Sequence, residues 1–297
     1  MRKTIGVLLA VLALTALVLV WGNRGGHQQE RPAGSAGYTR VLAISPALEE
    51  IALDLVDPEQ LVAVSDTSRH SADERIRAQA AKVKAVVSEK PSTEEIIALH
   101  PDIVLIPVVF SRAQADTLRD CGLHVVPLDV PDGYEDVKAR IRYIAGQLHA
   151  GERGDAVVRE MDRKMAETHR HLAGIEKEKI VVGYSVNGAF GRKNGAFDNI
   201  CKEARAVNGA GLLNLQRGEH LSKEQIVRLN PDVIICSVST TRNEIHKDVL
   251  SDPALRQTKA VKNGRVLVAE DRFMSSVTQS FPDAVDHIAR LVYPECF

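Results

Sequence analysis

The chain has almost no tryptophan. Its one copy, Trp21, lies in an N-terminal apolar run, and aromatic residues make up only 4% of the 297 residues. A pocket elsewhere in the chain must therefore rely on Phe, Tyr, aliphatic and polar groups. An excess of charge of one sign is missing too. The 38 Lys and Arg nearly balance the 39 Asp and Glu, for a formal net charge of −1. No basic run is long enough to make a phosphate-binding stripe, which excludes nucleic acid as a partner. Cysteine is scarce, and Cys121, Cys201, Cys236 and Cys296 fit no zinc spacing. Cys236 ends an apolar strand-like run and reads as a buried thiol. Cys201 and Cys296 are the pair able to bridge in an oxidising compartment.

Catalytic motifs are broken or absent. Gly183-Tyr184-Ser185-Val186-Asn187 follows a strand but has Asn where a nucleophile elbow needs Gly. His169 and His171 are two apart on a helix and face different sides, and there is no H-E-x-x-H. Gly209-Ala210-Gly211 is too short for a dinucleotide loop. No enzyme, resident cofactor or metal centre is expected.

What is there begins with an export signature. Met1-Arg2-Lys3 is a basic start, and Ile5 to Trp21 is apolar apart from Gly6 and Thr15. That is the n-region and h-region of a signal. At roughly 17 residues the run is also at the short edge of what spans a bilayer. No Cys and no clear A-x-A site follows it, and Gly22 to Gly37 reads as a flexible spacer. Both outcomes stay open: a cleaved signal peptide, or an uncleaved anchor that tethers the domain to the membrane. Either way the protein is expected to be exported.

From Tyr38 onward, 44% apolar and 26% charged composition is that of a globular chain long enough for two domains. Short apolar strands alternate with helical segments: Arg40–Ser45, Gln60–Ser65, Ile103–Ile106 and His124–Leu128 read as strands, and Ala47–Leu55 has helical spacing. That order predicts a parallel sheet with crossover helices.

An internal repeat carries most of the information. Residues 92–105 read STEEIIALHPDIVL and residues 222–235 read SKEQIVRLNPDVII, sharing Ser, Glu, Ile, Leu, Pro and Asp at matched positions. Each copy opens with a capping box, Ser92 with Glu95 and Ser222 with Gln225. Ile96, Ile97 and Leu99, matched by Ile226, Val227 and Leu229, are expected to form a buried stripe. Pro101 and Pro231 stop the helices, and a fully apolar strand follows each. RVLAIS (40–45) is echoed by KIVVGYS (179–185), and CGLHVVPLD (121–129) by NGRVLVAED (263–271). A repeat of about 130 residues is a duplicated domain and not a solenoid.

Between the copies, Val158, Met161, Met165, Thr168 and Leu172 share one helix face, with Gly151 and Gly154 expected to break the stretch Tyr134–Gly174 into two helices. The second, near 30 Å, suffices to join two lobes as a stiff strut. The expected parts are residues 1–37 (signal peptide or anchor, plus spacer), 38–145 (N-terminal α/β lobe), 146–174 (connecting helix) and 175–297 (C-terminal α/β lobe). The fold class is α/β: two Rossmann-like lobes with central parallel sheets joined by a long rigid α-helix.

In this order, ISPALEEIA (44–52), LVAVSDTS (61–68), STEEIIALHPDIVLI (92–106) and LSKEQIVRLNPDVIIC (221–236) resemble the helical-backbone periplasmic binding proteins. These solute-binding proteins serve ABC importers of vitamin B12, haem and iron–siderophore complexes. The resemblance covers nearly all of residues 38–297. It implies a ligand held between the lobes (a metal chelate, haem or corrinoid) and delivery by a monomer to a permease dimer. It also implies one surface Glu per lobe that meets an Arg cluster on the permease. Those acids match Glu94 and Glu224. Each is the second residue of a capped helix, where the helix dipole favours a carboxylate. Corrinoid-binding members tend to use Trp-rich pockets, which this chain does not have. The alternative is a membrane-anchored sensory or structural domain on the same fold, without a transport role.

Ligands of parallel α/β lobes bind at the carboxyl ends of strands. In the first lobe that rule selects Ser45 and Pro46, then Asp66, Thr67, Ser68, Arg69 and His70, then Phe110. In the second it selects Tyr184, Asn187 and Phe190, then Ser237 and Ser239, then Arg272, Phe273 and Met274. His70, Tyr184 and Met274 are side-chain types that ligate haem iron. Arg69 and Arg272 suit ligand carboxylates or phosphates.

Overall fold

The computed structural model describes residues 38–297, apart from 214, 217 and 239–243 and the side chains of 109–111. The expected signal or anchor and its spacer, residues 1–37, lie outside the described residues. Among the described residues no helix is long and apolar enough to cross a membrane.

The first lobe is built on β1 (Val41–Ala43), β2 (Leu61–Ser65), β3 (Ala85–Val87), β4 (Ile103–Pro107) and β5 (Val125–Leu128), in the order β3-β2-β1-β4-β5 and parallel throughout. The second uses β6 (Ile180–Ser185), β7 (Gly188–Phe190), β8 (Val207–Asn208), β9 (Val233–Val238) and β10 (Val266–Glu270). Here β10, β9 and β6 are parallel neighbours, β8 pairs in parallel with the start of β6, and β7 folds back antiparallel on its end. The strands that the repeat marks as closing each half, β5 and β10, lie at sheet edges. The short β3, β7 and β8 were not expected from the sequence.

Alternation along the strands divides the core into layers. Val41, Ala43, Ile103 and Leu105 belong to one apolar cluster; Leu42, Ile44, Val104 and Ile106 belong to another on the opposite face. In the second sheet Val181, Val233 and Ile235 join the first of these clusters, while Val182, Ile234 and Cys236 form a third. One apolar cluster thus runs through both lobes, and both faces of each sheet are covered, as parallel strands require.

The helices Tyr134–Gln147 and Gly151–His171 make the bridge. The expected stripe Val158, Met161, Met165, Thr168 and Leu172 is buried. The longer helix is tied to both lobes. Arg153 donates to the Leu55 carbonyl at 3.4 Å and pairs with Asp57 at 2.9 Å, while Lys164 pairs with Asp283 at 2.7 Å in the C-terminal helix Phe281–Val292. Of the two glycines expected to break the helix, Gly151 opens the second helix and Gly154 lies within it, so the break comes before both. It falls at 148–150, where His149 takes the left-handed φ of 56°. Gly154 sits inside the helix because a Cβ there would lie 2.4 Å from the Ala145 Cβ of the neighbouring helix.

The repeated units are Thr93–Ala98 with β4 and Lys223–Leu229 with β9. Both capping boxes are complete: Ser92 Oγ accepts from Glu95 N at 3.2 Å and Ser222 Oγ accepts from Gln225 N at 3.2 Å, each with the reciprocal bond. The expected stripe is narrower than the sequence implied. Ile96 and Ile226 are wholly buried, but Ile97 is 36% exposed. Adjacent residues stand about 100° apart on a helix, and one of under two turns turns only one of them inward.

All four cysteines are free thiols: Cys201 and Cys236 are buried, Cys121 is exposed, and Cys296 is intermediate. Burial pushes the Cys236 thiol up to about 12.

Candidate functional site: the cleft between the lobes

The carboxyl ends of β1, β2 and β5 face those of β7 and β10 across a cleft with two adjoining compartments. One, of about 360 Å³, is walled by Pro46, Ala47, Glu50, Thr67 and Asp73 on one side and by Asp271, Arg272 and Phe273 on the other. The second, of about 480 Å³, lies between the Asp129–Asp132 loop and Phe190, Arg192, His220 and Met274. Ser275 and Val277 line both.

The exit from β1 is sharp. Ser45 holds φ at 115°, outside the range L-residues usually adopt, and caps the helix Pro46–Leu55 through its hydroxyl, 3.4 Å from Leu48 N. This brings Pro46 and Glu50 to the cleft floor. After β2, Ser68 is buried and its N–H donates to Ser65 Oγ at 3.2 Å, within a network that includes Glu49. Burial raises the Glu49 pKa, opposed by hydrogen bonds from Ser68 and Ser65. Thr67 reaches the cleft and donates to Glu89. Asp66 and His70 are exposed and paired with each other at 3.1 Å. Arg69 turns back to the Val83 carbonyl.

In the second lobe, Phe190 enters the cleft from β7, while Asn187 sits exposed in the turn before it. Tyr184 packs against the outer apolar cluster of its lobe, and burial raises its pKa. Ser237 is buried and donates to Asp271. Arg272 donates to Glu270 at 2.8 Å and its guanidinium lies 4.0 Å over the Phe273 ring. Phe273 in turn stacks on His287 at 4.1 Å between ring centres. Met274 lines the second compartment and is buried. The Phe110 side chain and Ser239 lie outside the described residues.

The floor was missed by sequence reasoning. Glu50 accepts from Thr278 Oγ1 at 2.8 Å and Ser280 Oγ at 2.5 Å, and Gln279 Nε2 donates to the Glu50 carbonyl and to Asp54, each at 2.8 Å. From the other side Arg140 donates to the Val277 carbonyl at 2.5 Å and to the Asp129 carbonyl at 3.4 Å. Burial alone lowers the Arg140 pKa to about 10. Burial also raises the Glu50 pKa, against the pull of the Ser280 and Thr278 hydroxyls. Residues 277–280 therefore clasp the lobes together beneath the cleft. Their one sequence signal is a hydroxyl-rich stretch without periodicity, Ser275-Ser276-Val277-Thr278-Gln279-Ser280, just before a helix that starts at Phe281-Pro282.

Glu94 and Glu224 are exposed at the second position of their capped helices. The Glu224 carboxyl is held below the usual carboxylate range by its own backbone N–H and by the Ser222 hydroxyl.

Two α/β lobes, a spanning helix and a cleft at the strand ends define the fold of the periplasmic solute-binding proteins. Solved structures agree. A periplasmic binding protein from Veillonella parvula superposes with a TM-score of 0.76 at 19% identity, covering 88% of this chain and 93% of that one. The periplasmic haem-binding protein RhuT from Roseiflexus gives 0.72 at 18% identity, covering 88% and 100%. The family described as "Periplasmic binding protein" matches residues 41–272, and the chain belongs to it. Similar curated proteins include a cobalamin-binding protein of Halobacterium salinarum, 24% identical over 263 residues (85% of this chain, 68% of that protein). The ferric-anguibactin-binding protein FatB of Vibrio anguillarum is 26% identical over 195 residues (61% and 59%). This is a solute-binding protein of an ABC importer and not an enzyme. It works outside the cytoplasm, taking a small-molecule ligand to a permease.

Proposed function

We propose that the protein captures a metal chelate in the inter-lobe cleft and presents it to the permease through Glu94 and Glu224. The chelate is an iron–siderophore complex, haem or a corrinoid. The observation that carries this reading is the cleft itself, where the strand ends of both parallel sheets converge on compartments of about 360 and 480 Å³. Relatives in the family are named for cobalamin and ferric anguibactin, which supports a bulky chelate over a bare ion. For haem, Met274 and His220 are the iron-ligating residue types that line the cleft. The protein acts as a monomer at the outer face of the cytoplasmic membrane, released or tethered through residues 1–37.

The test is a thermal-shift screen of the purified full-length chain against haem, ferric siderophores, cobalamins and simple metal ions. Ligand at 100 times its dissociation constant adds about 2.7 kcal/mol of stability. A hit among the chelates is the expected result. A response confined to bare ions, or none at all, would reject the reading.

A further inference from the structure

We propose that this cleft selects a neutral or positively charged chelate and rejects polyanionic ones; this rests on the binding reading above and names the ligand class within it. The reason is an imbalance of charge on the cleft walls. In the compartment over Glu50, Arg272 is the only Lys or Arg among the described lining residues. Its charge is already matched. Nε donates to Glu270 at 2.8 Å, a terminal nitrogen stands 3.8 Å from Asp73, and the guanidinium lies over Phe273. Asp271 shares this wall, and among the described residues its carboxylate meets the neutral hydroxyl of Ser237. Glu50 faces it with the Thr278 and Ser280 hydroxyls as partners, and the one cation acting on it, Arg75, is itself paired with Asp54.

The second compartment repeats the imbalance. Asp129 and Asp132 are exposed at its rim, and among the described residues neither carboxylate has a hydrogen-bond or ion-pair partner. Among the described residues Glu219 accepts the Gln216 N–H, at 2.8 Å. Against these three acids the described lining offers one cation, Arg192, whose guanidinium donates to the Lys193 carbonyl at 3.3 Å. Arg140 lies behind the wall; its two terminal nitrogens donate to backbone carbonyls, and its buried Nε has no partner among the described residues.

A ligand that enters displaces water, and the weaker screening strengthens each of these interactions. Unmatched carboxylates then attract a cationic guest and repel an anionic one, so the walls discriminate as much by repulsion as by attraction. The Thr278 and Ser280 hydroxyls, whose protons go to Glu50, still accept from amide N–H groups of such a guest without adding charge.

Calorimetric titration of the full-length chain tests this with two ferric probes, the singly positive ferrioxamine B and the triply negative ferric enterobactin. Ferrioxamine B is expected to bind at least about tenfold more tightly, and its affinity is expected to fall severalfold between about 50 and about 500 mM NaCl, as screening requires. Tighter binding of ferric enterobactin, or equal affinities that ignore salt, would overturn the charge rule and leave the metal-chelate reading standing. Binding of neither probe would overturn the charge rule and leave the metal-chelate reading to the haem and cobalamin arms of the thermal-shift screen. The Asp129→Asn, Asp132→Asn variant alters two exposed carboxylates without partners among the described residues, so the fold is kept. It is expected to narrow the ratio by threefold or more, and an unchanged ratio would refute the assignment to this wall.

Discussion

In the first lobe, β1 passes straight through Ser45 into a helix. In the second, β6 turns back at Gly188 and pairs with β7 before any helix begins. That hairpin brings Phe190 to the cleft, and the first lobe has no counterpart. Away from the cleft the two lobes agree closely. His100 and Asn230 both take a left-handed φ, 46° and 47°, directly before Pro101 and Pro231. A residue before proline is crowded out of the right-handed helical region, so each helix ends in the same way. Asp102 and Asp232 then latch the opening strand. Their N–H groups donate to the Arg40 and Ile180 carbonyls at 2.7 and 2.8 Å, and their carboxylates accept from Thr39 and from Ile180 N. The duplication is kept where Glu94 and Glu224 are displayed and lost along the cleft. The proposed roles fit this: a repeated partner asks for a repeated surface, and an asymmetric ligand does not.

The strongest way to break this comparison is to remove both acids. Glu94→Ala with Glu224→Ala is expected to cut uptake by an order of magnitude or more, with ligand affinity unchanged, because exposed charges at a docking rim govern encounter and register. Transport assays in a deletion strain and calorimetry on the purified protein read the two quantities separately. Each single variant is expected to keep part of the activity. Survival of full uptake in the double variant would mean that the repeat is structural only.

The sequence carried this repeat well because each copy combines cap, stripe, stop and strand within 14 residues, all local signals. It carried the cleft unevenly. The rule of strand ends selected Pro46, Thr67, Phe190, Arg272, Phe273 and Met274, which do line it. The same rule took in Asp66, His70 and Asn187, whose exposed side chains lie beyond the described cleft walls, because where a loop points is decided by packing and not by position. Glu50, Gln279 and Arg140 escaped notice for a related reason. Their partners lie far away in sequence, and a half-buried Glu with an Asp one turn on reads as surface until the other lobe is placed over it.

Gly154 shows a long-range cause of the same kind, and it sharpens the comparison by testing how firmly the lobes are spaced. Gly154→Ala adds one methyl against the Ala145 Cβ in the bridge. The variant is expected to lose about 1–3 kcal/mol, as overpacked sites do, in chemical denaturation. A neutral or stabilising result would show that the two bridging helices separate easily. The caps come next. Ser92→Ala and Ser222→Ala are each expected to cost about 1 kcal/mol. Equal losses would support equivalent copies, and a clear difference would show that the charged Glu95 and neutral Gln225 do not serve their boxes alike.

The smallest effect concerns the clasp, where the half-buried Glu50 of the first lobe meets Thr278 and Ser280. Burial raises the Glu50 pKa, although the Ser280 and Thr278 hydroxyls and the Arg75 charge oppose it. A carboxyl whose folded pKa lies above its unfolded value is held in its protonated form more tightly by the folded chain. Its contribution is therefore fully present at acid pH and is lost as pH rises from the ordinary carboxylate value through the raised one. Glu50→Gln keeps an oxygen that accepts from both hydroxyls but cannot ionise. Its melting temperature is expected to match the parent at acid pH and to exceed it slightly at neutral pH. Glu49, raised in the same direction by burial, leaves the parent with some pH slope in either case, so the difference between the two melting curves is the quantity to read. A variant less stable than the parent at neutral pH would mean that the ionised carboxylate, with its stronger hydrogen bonds to Thr278 and Ser280, is what holds the lobes together.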